Sequence, residues 1–343
     1  MTPAIRRMLA VGRALFGAGL LVYVVLASGA LGTAQRVLAV PWMLPLIALV
    51  FPLTGVAVES LRLRALFAAS GYTLTFSRAY QLVTISALFG YAVPGGTGAD
   101  VVKLYYLATE HRGQTIEMAA ILLVDRLAAL FALMLVVLAL GMAEGHLLFE
   151  TAIGRSLALL SLAVLGTQGL LTAVAWSHWV RATRLYRWLT TDAPAGRLIG
   201  RLAAALHRFG ERRGAVARAV AWSVVGHLLV AALFGLAAHV TFGAGSVLTA
   251  VLLSLFGMVA NALPLTPGGL GVGEAAFDRL FAAAGLAGGA GMLLIWRIAA
   301  VPVALMGFVF YAFGRRAGTF APDQIPDGSL SPLRAADTGN GSA

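Results

Sequence analysis

The stretch Pro267-Gly268-Gly269-Leu270-Gly271-Val272-Gly273-Glu274 interrupts a long apolar region, and Pro94-Gly95-Gly96-Thr97-Gly98-Ala99-Asp100 interrupts another in the same way. Both put an acidic residue shortly after a proline–glycine break. In water such a break is an ordinary turn. In a hydrocarbon core it frees backbone groups that cannot turn to solvent, so it survives only where protein or a cavity takes them up. Broken helices at corresponding positions of two halves point to a transporter-like binding site.

The chain around these breaks has 343 residues, of which 60% are hydrophobic and 11% charged, with a mean hydropathy of +0.88. Soluble domains carry roughly 25% charged residues, so this composition defines an integral membrane protein. There is no cysteine, and the six histidines are scattered without a metal-binding spacing. No cofactor or metal is therefore expected. The formal charge of +11 lies in loops between apolar runs, as the positive-inside rule requires, which argues against a nucleic-acid partner. Arginine supplies nearly all of it, and Lys103 is the only lysine. Much Arg, Ala and Gly with a single Lys fits a bacterial, high-GC source.

A span needs about 20 apolar residues. Six runs meet this, near 8–29, 38–58, 117–142, 156–176, 219–241 and 289–313. The first is read as an uncleaved helix, since no clean signal-peptidase site follows it. Two further apolar regions, 79–108 and 247–286, contain the breaks, and each half of them is too short to cross alone. They are expected to be re-entrant hairpins.

Loop charges set the orientation. Arg6 and Arg7, then Arg62, Arg64 and Arg78, then nine arginines in 177–218, then Arg315 and Arg316 are separated by loops poor in basic residues. They fall on one side only if both broken regions return to the side they left. Both termini are then cytoplasmic in a bacterial inner membrane. The fold class expected is an all-α polytopic membrane protein with about six full spans and two re-entrant helical hairpins. Two inverted repeats, about 1–142 and 156–316, would each run span, span, hairpin, span. Val124-Asp125-Arg126-Leu127-Ala128-Ala129 and Ile295-Trp296-Arg297-Ile298-Ala299-Ala300 recur at similar distances after the two breaks.

The membrane domain occupies 1–316. Its basic connection, 177–218, places Leu198, Leu202, Leu206 and Phe209 on one side of an amphipathic helix expected to lie on the anionic inner leaflet. Trp176, Trp179 and Trp188 read as an interfacial belt. The polar tail 317–343 reads as disordered.

Several residues can carry function. Thr97 with Asp100, and Gly271 with Glu274, have the spacing of a capping box. Asp100 and Glu274 can therefore position half-helices, carry a coupling proton, or both. Pro94 and Pro267 end the preceding half-helices. Gly95, Gly96, Gly98, Gly268, Gly269 and Gly271 permit tight turns, and their N–H groups suit an anionic headgroup. Arg126 and Arg297 each cost about 2.5–3.5 kcal/mol at the centre of a span, and a buried arginine pairs with carboxylate or phosphate. Arg126 sits closer to a helix end, with Asp125 beside it to neutralise it. Lys103, one turn past Asp100, can pair with it or reach the interface. Asn261 can satisfy backbone loosened by the second break, and His227 and His239 read as packed or interfacial residues.

These residues resemble the transmembrane region of lysylphosphatidylglycerol synthases, also described as the flippase-like UPF0104 family. The likeness covers roughly 8–316. It is carried by Pro94-Gly95…Gly98-x-Asp100-x-x-Lys103, by Asp125-Arg126, by Pro267-Gly268-Gly269-Leu270-Gly271-Val272-x-Glu274 and by Arg297. Gly273, Ala129, Asp125 and Lys103 depart from the residues usual there, which bears on headgroup preference. The resemblance implies a lipid flippase or transporter for an anionic or modified phospholipid or glycolipid. Arg126 and Arg297 would hold phosphate, with Lys103 in support. Full synthases add a soluble aminoacyltransferase domain, and this chain ends in a short tail, so lysine transfer is not expected and the protein is read as no enzyme. A membrane-embedded lipid-modifying transferase, or a non-catalytic accessory subunit of a lipid or envelope-glycan pathway, is the alternative, and a lipid-modifying enzyme or glycosyltransferase is the partner protein expected.

Overall fold

The computed structural model describes residues 30–90, 97–177, 194–261, 266 and 269–316. The expected first span at 8–29, the tail at 317–343, Trp179 and Trp188 lie outside them, as do Pro94, Gly95, Gly96, Pro267 and Gly268. Among the described residues there is no strand. The protein is an all-α polytopic membrane protein. Its helices are α1 (Ala30–Leu38), α2 (Phe51–Ala69), α3 (Phe76–Gly90), α4 (Thr97–Glu110), α5 (Thr115–Ala143) and α6 (Ala152–Trp176), followed by α7 (Pro194–Glu211), α8 (Arg213–Phe242), α9 (Val247–Asn261), α10 (Val272–Ala283) and α11 (Gly289–Arg316).

Among the described residues, five helical segments are long and apolar enough to cross a membrane: Thr115–Ala143, Ala152–Val174, Arg213–Phe242, Ala244–Asn261 and Gly289–Phe313. Leu159, Leu162, Leu170 and Leu171 on α6 are all exposed, a surface that water would not tolerate but lipid accepts. Ala244–Asn261, with 18 residues, reaches the lower limit for a crossing. The first half of the second broken region is thus longer than expected.

The expected span at 38–58 is displaced. Leu38 ends α1, and the helical stretch that follows runs from Met43 through a π-helical segment, Leu46–Val50, into α2 and on to Ala69. Pro52 has no N–H to offer the carbonyl four residues back, and the wider π register falls just before it. Hydropathy closes the span at Glu59 because charges begin there. The helix continues because those charges find partners inside the bundle. Arg62 and Arg64 are therefore helical residues, and Arg62 is no loop charge.

The helices on either side of each break fold back on one another. α3 and α4 pack closely, with Arg78 at the start of α3 paired to Glu110 at the end of α4 and Gly90 against Ala99. α9 and α10 do the same, with Gly257 against Phe277. Each hairpin is seated in its own apolar core. Leu63, Phe67, Leu82, Ile85, Leu107 and Ile121 form one; Phe234, Leu252, Phe256, Phe277, Phe281 and Leu293 belong to the other. α2 and α8 join the two halves through the most extensive helix contact described, and α3 packs along α11.

The amphipathic helix is present as α7, but its apolar side faces protein. Ala205 and Phe209 are buried, α7 packs on α5 and α6, and Gly210 lies directly against Trp176. Trp176 is thus a packing residue at this junction. Arg201 and Arg208 remain on the exposed side.

Candidate functional site

Two clusters of charge sit inside the helical bundle, one at each hairpin. At the second, Gly269 (φ +68°) and Gly271 (φ +77°) take left-handed backbone, which lets the chain re-enter a helix at Val272. Glu274 is fully buried and accepts from the Gly271 N–H at 2.7 Å. This is the cap expected from the spacing. Its other oxygen accepts from Arg297 Nε of α11, and Arg297 Nη2 reaches both Glu274 at 3.2 Å and Asn261 Oδ1 at 3.2 Å. Cap, arginine and end of α9 are thereby tied into one unit. Asn261 can come this close because Gly269 and Gly273 lack side chains. A Cβ on Gly273 would lie 2.4 Å from Asn261 Oδ1 and 2.8 Å from Leu293 Cδ2.

The Gly269 N–H donates to the Thr266 carbonyl at 3.1 Å, and that of Gly271 is taken by Glu274. These two glycines shape the turn and have no backbone donor left to face a headgroup. That corrects the reading of them as anion donors. Gly98 is buried in the first turn of α4, and the side chain of Thr97 lies outside the description.

At the first hairpin the pairing differs from the sequence expectation. Arg126 Nε donates to Asp100 across from α5 to α4. Asp125, expected to neutralise its neighbour Arg126, instead receives both arms of Arg62 at 2.6 and 2.8 Å. Adjacent residues on a helix do not face each other, so each turns to a different helix. Lys103, expected to pair with Asp100, is buried and donates to Glu59 of α2, and Arg62 stands 3.9 Å from the same carboxylate. Three acids and three bases from α2, α4 and α5 thus form one neutral cluster. Nor is Arg126 closer to a helix end than Arg297. At about 1.5 Å per residue both lie well inside their helices, counted from Thr115 and Gly289.

Glu59 and Arg62 were the residues missed. Their signal was present, an acid and a base three apart in a run that is otherwise apolar, but it resembled the edge of a loop. His227 of α8 is a packed residue, its Nε2 meeting the Ala129 carbonyl at 2.9 Å.

The two pairs differ in access. The Arg297 and Glu274 side chains are 11% and 0% exposed, those of Arg126 and Asp100 47% and 27%. Arg297 also lines a groove of about 480 Å³ whose walls are Leu88, just before the first break, Leu270 in the second, and Val301, Leu305 and Phe308 of α11. The hairpin ends converge there on a single cation. Beyond Arg297 the walls are apolar.

Fold and site together define a polytopic helical membrane protein with paired hairpins and charged clusters within the bundle. The sequence matches the lysylphosphatidylglycerol synthase TM region family over residues 9–307, and the chain belongs to that family. No curated protein and no solved structure matches it significantly.

Proposed function

We propose that this protein moves an anionic or modified lipid between the leaflets of a bacterial inner membrane, with both termini in the cytoplasm, and that it does so as a transporter and not as an enzyme. The observation that carries this reading is the groove between the hairpin ends. Arg297 stands at its polar end, and Val301, Leu305 and Phe308, all exposed, run away from it along α11. A lipid has this distribution of chemistry, one anionic group and a long apolar remainder. The headgroup displaces Glu274 from part of the guanidinium, whose planar fork suits a phosphate, while the acyl chains stay against the apolar wall. Arg126, the more accessible arginine, serves the same role at the first hairpin. Each hairpin's acid pairs with an arginine of the long helix that follows it, Asp100 with Arg126 and Glu274 with Arg297, which supports a repeat, and the loop charges support its inversion.

The test is leaflet exchange of headgroup-labelled lipids in proteoliposomes. Wild type is expected to speed exchange, and Arg297→Met combined with Glu274→Met, which removes the pair without leaving a lone charge, is expected to abolish it while remaining folded. Absence of protein-dependent exchange across anionic, aminoacylated and isoprenoid lipids overturns the reading. Chemical conversion of the labelled lipid by the pure protein replaces it with a transferase.

A further inference from the structure

The cluster at the first hairpin contains a pair unlike the others. Asp125 and Asp100 are held by guanidinium groups, which do not give up a proton in proteins. Glu59 is held by Lys103, the only lysine in a chain with 24 arginines (25 basic residues less one). An ammonium is a compact charge on a flexible stem, able to change partner. The Glu59 side chain is also the most exposed of the three acids, at 34%, and it lines a cavity of about 210 Å³ between α2, α3, α8 and α11. Among the residues lining that cavity, Glu59 alone carries a charge; Val83, Leu229, Trp296 and Val303 are typical of the rest. When Lys103 turns away, a carboxylate facing such walls loses its hydrogen-bonded cation and keeps only Arg62 at 3.9 Å, which is itself bonded to Asp125, so the balance moves toward the neutral form.

We propose that the Glu59–Lys103 pair is a proton-binding site, and that an anion entering this cluster is accompanied by a proton taken up there. This rests on the reading that the protein binds anionic lipid. Charge balance carries the argument. Glu59, Asp100 and Asp125 against Arg62, Lys103 and Arg126 sum to zero, and an anion added to a neutral cluster in a low-dielectric site is costly unless a positive charge arrives with it. The aqueous phase supplies it as a proton. The Glu59 carboxylate becomes a carboxylic acid, Lys103 keeps its three protons and turns to the anion, and the sum stays at zero. Release of the anion reverses both steps.

The groups around Glu59 leave it as the site of uptake. Arg62 on its own helix stands 3.9 Å from Glu59, beyond hydrogen-bond reach, and gives its two hydrogen bonds to Asp125 of α5. On α4, Asp100 is held by Arg126 of α5 and Lys103 faces Glu59. α8 contributes His227, which is occupied by the Ala129 carbonyl. α3 and α11 present Val83, Ala87, Ala299, Ala300 and Trp296 to the cavity.

The test is calorimetric titration of the full-length protein in detergent with dioctanoyl-phosphatidylglycerol, in two buffers of different ionisation enthalpy. Wild type is expected to take up about one proton per bound lipid and to lose affinity by about tenfold per unit rise in pH over the linked range. Glu59→Gln, a fixed stand-in for the protonated acid, is expected to take up none, with affinity no longer dependent on pH. Wild-type binding without proton uptake overturns the linkage and leaves lipid binding standing, whether or not the variant folds. No binding at any pH overturns both. Glycerophosphoglycerol, the same non-titrating diester without acyl chains, separates the sources. Equal binding and uptake with it supports the proton site but overturns the requirement for a lipid.

Discussion

Glu274 has no exposed surface, so its charge is tolerated only while Arg297 and the Gly271 N–H hold it. Truncating one member of a buried pair costs about 3–5 kcal/mol, because the other is left charged and alone. Arg297→Ala is therefore expected to lower the unfolding temperature in detergent sharply. Arg297→Met with Glu274→Met should recover most of that loss but not lipid exchange, which separates the pair's stabilising role from its transport role. The glycines give a second contrast. Gly273→Ala drives a methyl into Asn261 and Leu293 and is expected to destabilise by about 1–3 kcal/mol. Gly55→Ala, on the wall of the cavity beside Glu59, meets nothing within 4 Å and should gain up to about 1 kcal/mol of helix propensity. Thermal unfolding of the two variants side by side checks both signs.

At the scale of elements, the first hairpin is anchored to the far half of the molecule through α3 and α11. Gly307 permits their approach, since a Cβ there would stand 2.3 Å from the Thr84 carbonyl oxygen. A backbone atom cannot step aside as a flexible side chain can. Gly307→Ala is expected to part the two helices, open the groove beside Arg297 and lower stability by about 1–3 kcal/mol. Faster amide exchange over both α3 and α11, with α6 unchanged, is the readout. Exchange confined to α11 would show that the contact does not hold the hairpin. α7 belongs to this scale too. Its regular pattern of apolar residues was plain, but whether that face met lipid or protein depended on Trp176 and the sides of α5 and α6.

For the molecule as a whole, the orientation of the hairpins is open to direct measurement, because the sequence contains no cysteine. Gln114 follows the first hairpin and Ala287 the second, and both are exposed. If the halves are inverted, Gln114→Cys should react with an impermeant maleimide only from the cytoplasmic face and Ala287→Cys only from the opposite one. Labelling of both from one face would exclude inverted repeats. The positive-inside count that predicts this outcome loses Arg62, now placed inside α2, but retains the nine arginines of 177–218, Arg315 and Arg316.

Composition by itself determined that this protein lives in a membrane, and proline–glycine breaks inside apolar regions determined where its helices turn back. Both conclusions follow from local chemistry. Hydrocarbon excludes charge, and proline followed directly by two glycines interrupts a helix where a lone one, such as Pro302 or Gly307 within α11, does not. The Gly271–Glu274 cap was legible for the same reason, since its two ends are three residues apart. What the sequence left undecided was partnership. Asp125 lies next to Arg126 in the chain yet bonds Arg62, and Lys103 passes over Asp100 for Glu59. A side chain's direction from its helix is fixed by the helix, but what it meets is fixed by how neighbouring helices are rotated and spaced. Only the tertiary structure supplies that, and with it the neutral cluster, the groove at Arg297 and the cavity at Glu59.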